Sequence, residues 1–199
     1  GDTISVIANQ VQNGLLAYYD ASDDSSVQLV NGNVSTWADQ TASNHDLVKG
    51  TNFPTHNSND DTISFSPFAY LTKVIADFQF QQDDDFSIFI KALQFDAGGT
   101  GNAQHVLNNK VSNTNNAGWS INTSANSATL FFSLHDGDSQ NFASYAIGGD
   151  DWDDGVERDL IFINESGVLK IYDATNANVG SNGNADIDEI DYSNAPFKI

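Results

Sequence analysis

The sequence predicts an all-β chain folded as an antiparallel two-sheet β-sandwich, and three observations carry that expectation. Apolar residues alternate or come in short runs, turn-forming Gly, Asn, Asp and Ser crowd the segments between those runs, and helical spacing is scarce. A length of 199 residues suits one all-β domain, so residues 1–199 are read as a single unit. The chain contains 13 Phe, 6 Tyr and 3 Trp, enough apolar surface to offset the entropy lost on ordering, so a folded core is expected despite the acidity.

Taken in order, Thr3–Ile7 alternates polar and apolar residues and reads as a first strand. It precedes the remaining pattern, and residues 1–12 are therefore expected as an extra or exchanged strand able to pair with a neighbour's sheet edge. Further strands are predicted at Leu15–Asp20, Ile63–Phe65, Phe86–Ala92, Gln104–Asn108, Gly118–Asn122, Thr129–Leu134, Asn141–Ala146, Arg158–Asn164, Val168–Tyr172 and Asp186–Tyr192. Partial helical spacing occurs only around Val34–Asp39 and Val74–Phe80, each good for a turn or two. Loops are predicted at Asp96–Asn102, Ser112–Ala117, Gly148–Gly155 and Thr175–Asn184.

Charge narrows the function classes. Seven Lys and Arg stand against 27 Asp and Glu, a net charge of −20, which disfavours nucleic acid and anionic membranes as partners. There are no cysteines, hence no disulfide framework and no thiolate nucleophile or metal ligand. No apolar run is long enough for a membrane span and no basic-then-apolar leader is present; the chain starts at Gly1 rather than Met, as a processed or trimmed product would.

An ordered series of motifs runs through the chain: Gly14-Leu15-Leu16-Ala17-Tyr18-Tyr19-Asp20, Gly32-Asn33-Val34-Ser35-Thr36-Trp37-Ala38-Asp39, Asn44-His45-Asp46-Leu47 and Tyr70-Leu71. There follow Phe86-Ser87-Ile88-Phe89-Ile90-Lys91, Gly118-Trp119-Ser120-Ile121, Trp152 ahead of Asp159–Ile163, Leu169-Lys170-Ile171-Tyr172 and the closing Ala185–Tyr192. In this order they resemble bacterial or phage members of the LamG-like, concanavalin A-like lectin-glucanase superfamily. The resemblance implies a jelly roll, core roles for Trp37 and Trp119, and a loop position for His45. It also implies the uses of that superfamily: carbohydrate binding, cell adhesion, calcium-dependent contacts, or service as a building block on a cell or virion surface. The fold alone selects none of these.

The residues themselves supply candidates of several kinds. Asp186-Ile187-Asp188-Glu189-Ile190-Asp191-Tyr192 is similar to the carboxylate strand of glucanases in that superfamily, and paired carboxyls cleave glycosidic bonds. Ile187 and Tyr192 break the alternation of acids, which argues against catalysis; period 2 would set Asp186 and Asp188 on one face and Glu189 and Asp191 on the other. The four histidines, His45, His56, His105 and His135, lack zinc-site spacing, and there is neither a G-x-S-x-G elbow nor a P-loop. Calcium takes six to eight oxygen ligands, and the Asp clusters at 20–24, 83–85, 136–138 and 150–154 could supply them. The leading loop is Gly148–Gly155, with Asp150, Asp151, Asp153 and Asp154 as metal ligands; no cluster has the full EF-hand pattern, and solvated turns explain the acids equally well. Sugar recognition needs an aromatic platform beside polar groups, and the candidates are Tyr145 and Trp152 with Asp150 and Asp153. Three N-x-S/T triplets begin at Asn33, Asn122 and Asn164.

The expectation is an extracellular, cell-surface or virion-surface module that is not an enzyme. It binds a glycan or a surface protein partner through rim loops, with Ca2+ as an optional cofactor. The alternative is a structural surface subunit, such as a phage fibre or decoration protein or a filament subunit, that assembles with further copies; a glycosidase is the third reading.

Overall fold

The computed structural model describes residues 14–66, 69–94, 105–110, 117–124, 129–146, 155–173, 176–182 (backbone only), 187–192 and 195–199. Among these the chain is all-β, with antiparallel sheets and a single turn of 3-10 helix at Ala76–Phe78. No helix of the described residues is long and apolar enough to cross a membrane. Contacts divide the chain into two compact units: residues up to Asp77 with Lys198, and Phe78–Phe197 with Ile199.

The smaller unit is built from short strands: β1 (Val27–Val30), β2 (Asn33–Trp37), β3 (Leu47–Lys49), β4 (Thr55–Asn57), β5 (Thr62–Ser64) and β6 (Leu71–Lys73). Strand β2 is central and pairs with β1, β3 and β4; β6 continues from β3, and β5 from β4. β1 turns into β2 through Asn31-Gly32, both at positive φ (52° and 78°), the two-residue connection whose twist matches that of paired strands. Val27, Val34, Leu47, Leu71 and Ile75 are buried and form the apolar centre. The predicted helical turn at Val34–Asp39 is thus strand over Val34–Trp37. Val34 and Thr36 are β-branched and favour extended backbone, and pairing on both sides decides the outcome. Leu15–Asp20, predicted as a strand, joins no ladder. It is held instead by the Tyr18 N–H on Asp39 Oδ1 (2.9 Å) and by Gln40 N–H on the Tyr18 carbonyl (2.8 Å).

The larger unit carries the long strands: β7 (Phe86–Leu93), β8 (His105–Lys110), β9 (Gly118–Thr123), β10 (Thr129–His135), β11 (Gln140–Ala146), β12 (Arg158–Glu165), β13 (Val168–Asp173) and β14 (Asn176–Asn182). One sheet runs β11-β10-β9-β8 and the other β14-β13-β12-β7. Strict alternation sends Leu107, Trp119, Ile121, Leu130, Phe132 and Leu134 to the inner face of the first sheet, and Leu160, Phe162, Leu169 and Ile171 to that of the second. The faces meet at Phe132 and Phe162, whose ring centroids lie 5.6 Å apart at 69°. Burying a ring such as Phe132 stabilises the fold by about 2–3 kcal/mol. β14 falls inside the predicted loop Thr175–Asn184: Asn- and Gly-rich residues form a strand there because β13 offers them an open edge.

Phe78–Asp85, ahead of β7, is a strap held by its carbonyls. Phe78 O accepts from both Asn109 Nδ2 (2.8 Å) and Trp119 Nε1 (2.7 Å), and Gln82 O and Asp84 O accept from Asn164 Nδ2 (2.8 and 2.7 Å). The Tyr192 hydroxyl donates to Phe80 O. Asn109 and Asn164 are buried and give the strap one and two amide hydrogen bonds respectively, leaving each Oδ1 without a partner among the described residues. A buried unpaired acceptor costs about 1–3 kcal/mol, so these side chains specify the strap's position more than they add stability. The closing segment is not the predicted strand. Ile187 N–H donates to Gln82 Oε1 (2.8 Å), Ile190 N–H to Gln81 Oε1 (2.8 Å), and Gln81 Nε2 donates to Ile190 O (3.1 Å), so glutamine amides stand in for a partner strand.

Candidate functional site

Sheet β8–β11 presents its second face outward, and register fixes which residues share it. Across β8, β9, β10 and β11 one row reads Lys110, Gly118, His135, Gln140; the next reads Asn108, Ser120, Ser133, Phe142; Asn122, Phe131 and Ser144 follow beyond. Gly118 is buried and Ser120 and Ser133 are 0% and 1% exposed, whereas Lys110, Asn108, His135, Phe131 and Phe142 are half-exposed. Small side chains between larger ones give a shallow trough beneath which the Ser120 and Ser133 hydroxyls are closed off from solvent. Ser120 Oγ lies 3.0 Å from Ser133 Oγ and donates to Asn122 Oδ1 at 3.0 Å, so the floor is ordered. Phe131 and Phe142 pack edge-on (5.8 Å, 73°) along one side. The four strands contain no Asp or Glu.

The trough's ionisable end is set by its turn. Gly137 N–H donates to His135 Nδ1 (2.8 Å), which places the ring proton on Nε2. Burial, and then the charge of Lys110, hold the His135 imidazole below its usual range, against the opposing pull of Asp136 and Asp138. The Lys110 ammonium is itself lowered by burial, and among the described residues it has no ion-pair or hydrogen-bond partner. Asp136 is committed elsewhere. Its Oδ1 accepts from Asp138 N–H (2.7 Å) and Ser139 N–H (2.6 Å), and its Oδ2 from Asp188 N–H (2.9 Å); those bonds, that from Ser139 first, hold the carboxyl below its ordinary value.

A second concavity, about 480 Å³, is lined by Gln79, Gln81, Glu189, Ile190, Asp191 and Tyr192. Ile187, Ile190 and Tyr192 are buried while Asp188, Glu189 and Asp191 are all exposed, so the acids do not divide between two faces as alternation predicts. The segment bends about its glutamine contacts, and that breaks the period. Burial and the nearby Asp84 push the Tyr192 phenol well above its usual range, which keeps it a neutral donor to the strap.

No protein-family model and no curated protein matches this sequence.

Of the residues singled out from sequence, Trp152, Asp150, Asp151, Asp153 and Asp154 lie outside the described residues. Tyr145 is placed inside the larger unit, 9% exposed, with its hydroxyl donating to Asp173 Oδ2 at 3.2 Å. That position corrects its assignment as an exposed platform, because the alternation of β11 turns Asn141, Ala143 and Tyr145 inward and leaves Phe142 and Ser144 on the outside. Trp119 is core, as expected. Trp37 is half-buried against Tyr19 (5.6 Å), with its indole N–H unpartnered among the described residues. His45 Nε2 meets Asp77 Oδ2 at 3.1 Å, and Asn164, one of the three glycosylation triplets, is 1% exposed. Among the described residues no group of three or more His, Asp or Glu converges as a metal site. The trough is absent from the sequence-derived candidates because its residues are scattered along the chain and meet only through strand register.

Proposed function

We propose that the chain is a non-catalytic extracellular recognition and adhesion module, a jelly roll of the LamG-like, concanavalin A-like type, that binds a glycan. The observation that carries this reading is the trough: half-exposed Asn108, Asn122 and Ser144 beside two half-exposed phenylalanines are groups of the kind that hydrogen-bond sugar hydroxyls and stack on sugar faces. It moves the binding surface from the rim loops to a sheet face; the Gly148–Gly155 loop remains the calcium candidate of the sequence and, but for Gly155, lies outside the described residues. A glycan array run with calcium and with chelator tests it. Wild-type protein is expected to bind a subset of glycans, and Phe142→Ala to lose about tenfold in affinity with an unchanged melting temperature. Flat binding on every glycan overturns the reading. Release of reducing ends from β-glucans that disappears in Glu189→Gln would overturn the non-catalytic assignment.

A second reading, a structural surface subunit that assembles with copies of itself, is favoured by the outward face of the other sheet. Register aligns Phe89, Ile161 and Tyr172 across β7, β12 and β13, and Phe89 is 54% exposed. Light scattering decides here: a monomer at all concentrations removes the second reading, and assembly lost in Phe89→Ser supports it.

A further inference from the structure

The second sheet of the larger unit ends on β7, and the outer edge of that strand is open. The backbone of Phe86–Leu93 pairs with β12, and beyond that ladder it bonds, among the described residues, only to Asp159 Oδ1 through the Ala92 N–H (2.8 Å). Packing shows the same opening. Ile88 and Ile90 lie opposite Phe162 and Leu160, which are fully buried, yet both isoleucines stay half-buried because no described residue pairs with β7 on its far side. The devices that keep sheet edges apart are sparse here: Lys91 is the one charge in β7, the strand holds no proline, and its bulge, two residues opposite Asp159, comes after Ile90 and leaves Phe86–Ile90 regular.

We infer that two copies of this chain join β7 to β7 as antiparallel edge strands, fusing their four-stranded sheets into one of eight. This rests on the self-assembly reading above and names its interface and symmetry, an isologous contact that closes as a dimer. A foreign strand would meet the same backbone groups, but the reverse of β7 itself matches this edge in side chains and in charge. With the two-fold axis at Phe89, the exposed rings meet each other, Ile88 meets Ile90 on the inner face, and Lys91 meets Ser87 instead of a second lysine. Each Lys91 also lies toward the exposed Asp83, Asp84 and Asp85 that precede the other copy's β7. That contact is attractive between chains whose net charge of −20 otherwise drives them apart.

The test combines light scattering with cross-linking of the full chain. At about 0.15 M salt, wild type is expected to approach twice the monomer mass as its concentration rises. Lys91→Glu sets acid against acid and is expected to move the midpoint of that rise about tenfold higher, with an unchanged melting temperature. The chain has no cysteine, so single introduced thiols report the pairing without background. A mixture of Ser87→Cys and Lys91→Cys proteins is expected to form disulfide-linked dimers faster than either protein alone under mild oxidation. Antiparallel pairing sets those two positions opposite each other, within a disulfide's reach, and leaves like positions about 13 Å apart along the strands. Self-association in which like positions link as fast as the mixture, or which Lys91→Glu does not weaken, overturns the edge inference and leaves self-assembly standing. A monomer at all concentrations overturns both.

Discussion

Four donors converge on the Asp39 carboxylate: the N–H groups of Tyr18 (2.9 Å), Thr41 (2.9 Å) and His45 (2.9 Å), and the Thr41 hydroxyl (2.8 Å). Burial is the largest single influence on this group and would raise its pKa, but the four bonds together outweigh it and hold the carboxyl below its ordinary value. Asp39→Asn turns an amide NH2 toward donors and is expected to cost about 3 kcal/mol in denaturant unfolding. A depressed folded pKa contributes stability that is present above the unfolded value, near 3.9, and lost as pH falls through the folded one. Wild-type stability should therefore drop on acidification below about pH 4, and Asp39→Asn should flatten that drop; parallel profiles for the two proteins would remove Asp39 as its source. At Tyr145 the expected effect is smaller. Tyr145→Phe gives up the bond to Asp173 at about 1 kcal/mol, and glycan binding is unchanged because the ring faces inward. A selective loss of binding in that variant would contradict the inward placement.

At the level of elements, the strap Phe78–Asp85 depends on side chains reaching it from β8, β9 and β12. Asn164→Ala strips the partner from two strap carbonyls and opens a small void, and is expected to destabilise by about 2–4 kcal/mol, read as a lower denaturant midpoint with unchanged slope. Gly118→Ala drives a methyl into Asn109 O and should cost about 3 kcal/mol or more; a variant as stable as wild type would show that the β8–β9 spacing is misplaced. The long strands β7 and β9–β13 are legible in the sequence because period-2 alternation over six to eight residues belongs to the strand itself. Strands β3–β6, three residues each, are too short to show a period, and only Ile63 at β5 marks one of them. At the closing segment the sequence alternates convincingly, yet glutamine side chains from the strap take the place of a paired strand. The trough is illegible for a related reason. Lys110, Gly118 and His135 are unremarkable in sequence, and register alone makes them neighbours.

Across the whole molecule the strands hold few of the 27 acidic residues: Asp159, Glu165 and Asp173 are the only ones in the strands β1–β14. Among the described residues the other acids lie outside the strands, where repulsion among them opposes compaction. The melting temperature is expected to rise with sodium chloride as that repulsion is screened, and a flat series would mean that the connections keep their charges far enough apart already. The contacts of the strap bear on the time course of folding as well as on the final state. Asn164 meets Gln82 across 82 residues, Gln81 meets Ile190 across 109, and Tyr192 meets Phe80 across 112. Those loops must close before the contacts can repay the entropy of closing them. A ribosome delivers Phe78–Asp85 well before it delivers Asn164 or Tyr192, so the strap emerges with its carbonyls unclaimed and waits for the C-terminal segment. Maturation of the larger unit is thus a late event in synthesis, and a chain stopped before Ile187 would carry a sheet whose entrance strap has lost its final clasp.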